Sequence, residues 1–309
     1  MKVSDRKIVG IGETVLDIVF REGQPQAAVP GGSVFNAMVS LGRTVGKSHP
    51  DISLVMVSQT GDDAVAGIMT DFMRKNHLDT AGLQQDAGQS TVSMAMLDAQ
   101  NNARYEFFRD LTLPPFRTPQ IDFRPGDMLL FGSFFAVSPA TGPQTRELVR
   151  AAREAGAIIY YDINFRKNHP AAPELIEQNI ALSDIVKGSD EDLEGLYGSP
   201  DAARAYEEHI APLCANFICT KGPKPAEVFS PGVRASYPTA PVDRVVSTIG
   251  AGDNFNAGIL CALVREGFSR ERVRQLTRAD WDRLVPTAMR FSANVCASMH
   301  NYVDPDFSL

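Results

Sequence analysis

With 309 residues, 44% of them hydrophobic, the chain can bury a large core, and α/β folds of this size run as one domain. A formal net charge of −7 and the lack of a dense Lys/Arg stripe exclude a nucleic-acid backbone or an anionic membrane as partner. No apolar run reaches membrane-spanning length and Met1–Lys7 leads into a strand without a signal-peptide core, so a cytoplasmic location is expected.

From the N-terminus, Lys7–Gly12 reads as a short buried strand and Glu13–Phe20 continues from it in an extended pattern. Asp17 lies there among apolar neighbours, with two readings: a turn or edge carboxylate, or an acceptor of hydroxyl hydrogen bonds from a ligand. Pro30-Gly31-Gly32-Ser33-Val34-Phe35-Asn36 then leads a helix whose Val34, Ala37, Met38 and Leu41 share a face, with Ser33 as N-cap candidate. Gly42–Ser48 superficially fits a P-loop, but only three residues separate its glycines where G-x-x-x-x-G-K-S/T needs four, and it follows a helix instead of a strand. Leu54–Ser58 reads as a strand, followed by the turn Gly61-Asp62-Asp63 and a helix with Val65, Ile68, Met69 and Phe72 on one face; no chemistry is assigned to it.

Ser90–Leu97 and Arg104–Phe108 suit strands joined by the turn-rich Asp98–Asn102, and with the segment after Asp17 they make a small separate sheet from residues around 13–30 and 88–110. Arg104, Tyr105 and Arg109 belong either to a surface hairpin or to a lid contact. Met128–Phe131, Ile158–Asp162, Asp184–Val186 and Phe217–Thr220 are apolar runs alternating with helical stretches, which predicts a doubly wound, mostly parallel sheet with helices on both faces. Ligands of such sheets gather beyond the strand C-termini, where Asp162–Arg166, Lys187–Asp192 and Thr220-Lys221-Gly222 fall. The four cysteines, Cys214, Cys219, Cys261 and Cys296, form no C-x-x-C pair and read as reduced, buried thiols. Arg265–Arg283 mixes arginines with acids and reads as a solvated helical face, and Ala288–Met299 reads as a final helix.

The most informative stretch is Arg244–Gly258, where a β-branched run meets a glycine-rich turn that opens into a helix with Phe255, Ile259, Ala262 and Leu263 on one stripe. Gly250 and Gly252 let the backbone aim unpaired N–H groups at one point, which attracts anions. Asp253 is then either an N-cap or a base able to receive a proton from an alcohol beside that anion nest.

Ser247-Thr248-Ile249-Gly250-Ala251-Gly252-Asp253-Asn254-Phe255-Asn256-Ala257-Gly258 resembles the D-T-x-G-A-G-D-x-F-x-A-G signature of the PfkB (ribokinase-like) carbohydrate kinases, departing at its first position. The resemblance implies Asp253 as catalytic base and the amides of Gly250, Ala251 and Gly252 as an anion hole. Gly31-Gly32-x-x-x-Asn36 resembles the N-terminal signature more loosely, which implies that Gly31, Gly32 and Asn36, with Asp17, contact the sugar. Asp162-x-Asn164-x-Arg166 resembles D-P-N-x-R of fructokinases and 2-keto-3-deoxygluconate kinases and brings Arg166 to sugar or phosphate oxygens, with Arg104 as a lid contact. Lys187-x-Ser189-x-x-Asp192 resembles K-x-N/S-x-x-E, which orders the triphosphate and Mg²⁺-bound water; Thr220-x-Gly222 and Asn294 match the nucleotide pocket. No side chain is assigned as a direct metal ligand.

The fold expected is therefore one ribokinase-like α/β domain over residues 1–309 with a β lid, and the function an ATP- and Mg²⁺-dependent sugar kinase, with fructose first. A homodimer through the lid is expected, and weak K⁺ dependence because Ser247 replaces an Asp. 2-Keto-3-deoxygluconate kinase comes next, then ribokinase or nucleoside kinase. From other classes, a dinucleotide-binding oxidoreductase is opposed by Phe255 at the third glycine position, and a silent sugar-binding protein by the retention of Asp253.

Overall fold

Apolar runs without polar interruption need cover on both sides, and the strands of this protein receive it. In a computed structural model, which describes residues 6–98, 103–165 and 173–309, alternate side chains of each central strand enter opposite cores. Ile8, Leu130, Ile158 and Tyr160 join one core, while Val9, Leu129, Ile159 and Tyr161 join the other.

The strands are β1 (Arg6–Ile11), β2 (Val15–Arg21), β3 (Gln24–Gly31), β4 (Ile52–Thr60), β5 (Leu83–Gln85), β6 (Val92–Leu97), β7 (Ala103–Phe108), β8 (Met128–Gly132), β9 (Ile158–Asp162), β10 (Ile185–Ser189), β11 (Phe217–Lys221), β12 (Lys224–Ser230) and β13 (Val233–Tyr237). Nine form a sheet in the order β13-β12-β11-β10-β9-β8-β1-β4-β5, parallel from β5 to β11. The antiparallel β12 and β13 were not legible, because Pro223 and Pro225 read as a break. Pro225 is tolerated opposite a register shift between Cys219 and Lys221, where the ladder is already irregular. The remaining four strands form the small sheet, in the order β3-β2-β6-β7.

The helices are α1 (Ser33–Ser48), α2 (Ala64–Lys75), α3 (Ser133–Val137), α4 (Gly142–Glu154), α5 (Pro173–Leu182), α6 (Asp190–Tyr197), α7 (Ala202–Ala205), α8 (Ala251–Arg265), α9 (Arg270–Val273) and α10 (Arg278–Cys296). The apolar stripe expected on α8 is buried, but so is every residue from Asn254 to Val264, since α8 lies between α1 and α10. Helix α10 begins well before the expected Ala288, at a reciprocal cap between Thr277 and Asp280, and carries Pro286 inside it.

Three further expectations are corrected. Ser33 is not an N-cap: that place belongs to Gly32, and Ser33 is the first helical residue. Arg265–Arg283 is not one solvated face, because Arg270 lies partly buried with its Nε 2.9 Å from Oδ2 of Asp184. Ile68 is 48% exposed, while Met69 and Met73 carry the buried face of α2.

Candidate active site

The C-terminal end of β9, the middle of β10 and the start of α8 meet around Lys187, and the chain enters α8 through the turn at Gly250. Gly250 adopts φ 78° and ψ −3°, a left-handed conformation open to glycine, and caps α8 with its backbone alone. Asp253 therefore does not cap its own helix. Its Oδ1 accepts a hydrogen bond from the Ser33 hydroxyl and its Oδ2 one from Nδ2 of Asn36, each at 2.8 Å.

Desolvation pushes the Asp253 carboxyl above the usual carboxylate range; the Asn36 bond opposes this, Asp162 adds to it, and Ser33 and Lys187 oppose it. Asn36 is buried, and its Oδ1 has no hydrogen-bond partner among the described residues. Asp17, near the start of β2, takes a hydrogen bond from Ser93 on β6 and points toward Gly31: a methyl group on that glycine would crowd Asp17 Oδ2. Burial moves Asp17 up to about 6, the Ser93 bond opposes it, and the charges of Asp253 and Glu13 add to it. Gly32 has φ 121° and faces the Glu13 carbonyl, so Gly31 and Gly32 bring α1 and β2 together around these acids.

On the other side of Asp253, Lys187 in the middle of β10 is 5% exposed and its Nζ lies 3.1 Å from Oδ1 of Asp162 at the end of β9. Burial alone would lower Lys187, but Asp162, Asp192 and Asp253 outweigh it and hold the ammonium above its ordinary range. A methyl group on Gly252 would come within 3.1 Å of Nζ, so the missing side chain is what lets the cation reach the amide turn. Asp162 Oδ2 accepts from Nδ2 of Asn256 at 2.7 Å, and the Tyr160 hydroxyl donates to Oδ1 of Asn256 at 3.0 Å.

Other residues singled out in the sequence are placed differently. Ser189 and Asp192 form a reciprocal cap of α6, and the second Asp192 oxygen accepts from the Phe165 amide at 2.7 Å. Both oxygens are thus engaged by backbone, and among the described residues no three acids, histidines or cysteines gather into a metal-binding group. Thr220, next to last in β11, has its hydroxyl 3.4 Å from the Gly188 carbonyl, and Gly222 forms the tight β11–β12 turn at φ 56°. Asn294 accepts from the Asp304 amide at 2.9 Å and so holds the C-terminal segment.

Arg104 is not brought to the acids: its side chain is 83% exposed and pairs with Glu106. Arg109 is the lid arginine that turns inward, with a two-pronged contact to Glu13 at 3.0 and 3.2 Å and its guanidinium 4.5 Å above the Phe134 ring. Arg166 lies outside the described residues. Ser33, Tyr160 and Asn256 were missed as functional candidates, since each gains its meaning from a partner remote in sequence.

A partly buried acid in a hydrogen-bonded cradle, next to helix-start amides and an ammonium, suits transfer of an anionic group to an alcohol. A family model described as pfkB family carbohydrate kinase matches residues 5–293. The fructokinase of Rhizobium leguminosarum bv. trifolii is 30% identical over 279 residues, covering 86% of this chain and 82% of its own. Among solved structures, aminoimidazole riboside kinase from Salmonella enterica with aminoimidazole riboside and an ATP analog superposes with a TM-score of 0.81 at 24% identity, over 98% of this chain and 97% of that one. Fructokinase from Vibrio cholerae O395 with fructose, ADP and calcium gives 0.79 at 21% identity, over 96% and 95%. With a family model spanning nearly its whole length and a large α/β sheet with a small second sheet to match, this chain belongs to the pfkB family of carbohydrate kinases.

Proposed function

We propose that the protein transfers the γ-phosphoryl group of ATP to a hydroxyl of fructose, with Asp253 as the base. The observation that carries this reading is that Asp253 takes no part in capping its own helix and is held instead by Ser33 and Asn36, at the foot of the Gly250–Gly252 amides. A loose phosphoryl-transfer transition state needs position and charge stabilisation more than strong basicity. Asp253 orients the attacking hydroxyl and takes its proton, the amides of Gly250 and Gly252 receive the developing charge while that of Ala251 is bonded to the Thr248 carbonyl at 3.3 Å, and Lys187 adds a fixed cation beside them.

Asp17 and the unpaired Oδ1 of Asn36 supply acceptors for sugar hydroxyls, and Gly31 and Gly32 the space between them. A neutral sugar fits better than a sugar acid because Arg109 is already neutralised by Glu13. Thr220, Gly222 and Asn294 border the nucleotide. Mg²⁺ would be held by the triphosphate itself and would supply neutralisation of phosphate charge. The exposed edge strand β7, with Phe108 54% exposed, serves a homodimer contact in a cytoplasmic enzyme.

The direct test is kcat/KM for ATP-dependent phosphorylation of fructose, 2-keto-3-deoxygluconate, ribose, aminoimidazole riboside and adenosine. Fructose is expected to lead; a lead for the sugar acid overturns the substrate assignment.

Asp17 also gives a pH dependence. Only its ionised form accepts two hydroxyl bonds, so kcat/KM for the sugar should fall as pH drops through about 6. For stability the sign is opposite: an acid whose folded pKa is raised from 3.8 to about 6 contributes stability below 3.8 that is lost as pH rises through 6. Asp17→Asn should therefore raise Tm at pH 8 and leave it nearly unchanged at pH 3.5, while raising the sugar KM far more than the ATP KM.

Ser247 predicts weak use of K⁺. Its hydroxyl accepts from the Ile249 amide at 3.2 Å, and the nearby Cys296 carbonyl accepts from the Val246 amide at 2.8 Å. These oxygens are engaged and carry no full charge, whereas a hard cation draws much of its affinity from ligand charge. Turnover in K⁺-free buffer should match turnover in K⁺, and Ser247→Asp should introduce saturable activation. Strong activation of the unaltered enzyme would contradict this.

A further inference from the structure

Asn256 stands at a position that the family signature leaves open, yet it is 1% exposed and both ends of its amide are engaged. Nδ2 donates to Asp162 Oδ2 at 2.7 Å, and Oδ1 accepts from the Tyr160 hydroxyl at 3.0 Å. Asp162 presents its other oxygen to Lys187, whose Nζ in turn lies under Gly252. Four buried polar side chains from β9, α8 and β10 thus form one line that ends at the anion hole.

Each link has a physical reason. A buried ammonium is unfavourable unless paired, which fixes Lys187 on Asp162. A carboxylate bonded through one oxygen alone still rotates, and Asn256 holds the second oxygen. The amide of Asn256 would meet Asp162 with its own oxygen if flipped, and the Tyr160 hydroxyl, donating to that oxygen, opposes the flip. Without this line Asp162 can turn, and the ammonium follows it away from Gly252.

We infer that Asn256 is a positioning residue for phosphoryl transfer, which, through Asp162 and with Tyr160 behind it, aims Lys187 at the γ-phosphoryl group over Gly250–Gly252. This rests on the kinase reading above. A residue that only packed α8 on the sheet would affect every nucleotide alike, whereas an aimed ammonium discriminates ligands by their terminal phosphate.

The test is calorimetric titration of the full chain, in the presence of fructose, with ADP and with a non-hydrolysable ATP analogue, alongside kcat. For Asn256→Ala the analogue should bind about tenfold more weakly, the scale of one misaligned charge-assisted hydrogen bond, with ADP affinity held within about twofold and kcat reduced. Tyr160→Phe, which removes a single hydroxyl and keeps the ring, should show the same selectivity at smaller amplitude and carries the test if Asn256→Ala does not fold. Equal losses for ADP and the analogue, or no loss for either, overturn the proposal. Unaltered protein that binds neither nucleotide overturns the kinase reading and the proposal with it.

Discussion

Asp253→Asn is expected to lower kcat by about two to four orders of magnitude, the range for loss of a positioned base, while fructose and ATP bind nearly as before. The substitution keeps the side-chain shape. Asn36 donates to one oxygen and the Ser33 hydroxyl to the other, and because a hydroxyl both donates and accepts, an asparagine at 253 settles with its NH₂ toward Ser33. What disappears is the acceptor for the alcohol's proton. Steady-state kinetics on the purified variant check this, and turnover within threefold of the unaltered enzyme would remove Asp253 from the chemistry.

Lys187→Met should abolish measurable transfer and also destabilise the fold by about 3 kcal/mol or more, because Asp162, 1% exposed, is left as a buried charge without its counterion. The two losses have different origins. Adding Asp162→Asn to Lys187→Met removes the orphaned charge and should restore most of the stability, read by urea unfolding, without restoring turnover. Recovery of both together would show that Lys187 serves the fold alone; recovery of neither would show that the pair is not the source of the instability.

How far the sequence disclosed these features depends on the kind of constraint. The turn at Gly250–Asp253 was legible because backbone conformation and a helix start confine the residue types, and those constraints are local. The two-sided burial of the central strands was likewise legible from uninterrupted apolar runs. The cradle of Asp253 was not: Ser33 reads locally as a helix cap, and only the packing of α1 against α8 turns its hydroxyl to a carboxylate far along the chain. Asn256 was invisible for a related reason, since an asparagine inside a helical pattern reads as surface until α8 is seen to be buried all round. Asp192 read as a shortened nucleotide-site acid, whereas its reach is used in capping α6 and holding the Phe165 amide. Of the lid arginines, Arg104 and Arg109 looked equivalent in sequence. They separate because Glu13 stands beneath only one of them.

In the proposed reaction one sugar hydroxyl takes the terminal phosphoryl group of ATP with Asp253 as base. Its most direct measurement is the fate of a γ-labelled phosphoryl group in the presence of fructose, followed for the unaltered enzyme and for Asp253→Asn. Label should appear in a fructose phosphate, one for each ADP formed, and Asp253→Asn should slow this transfer at least about a hundredfold. Label passing to water instead of sugar, or reaching fructose equally fast in the variant, would contradict it.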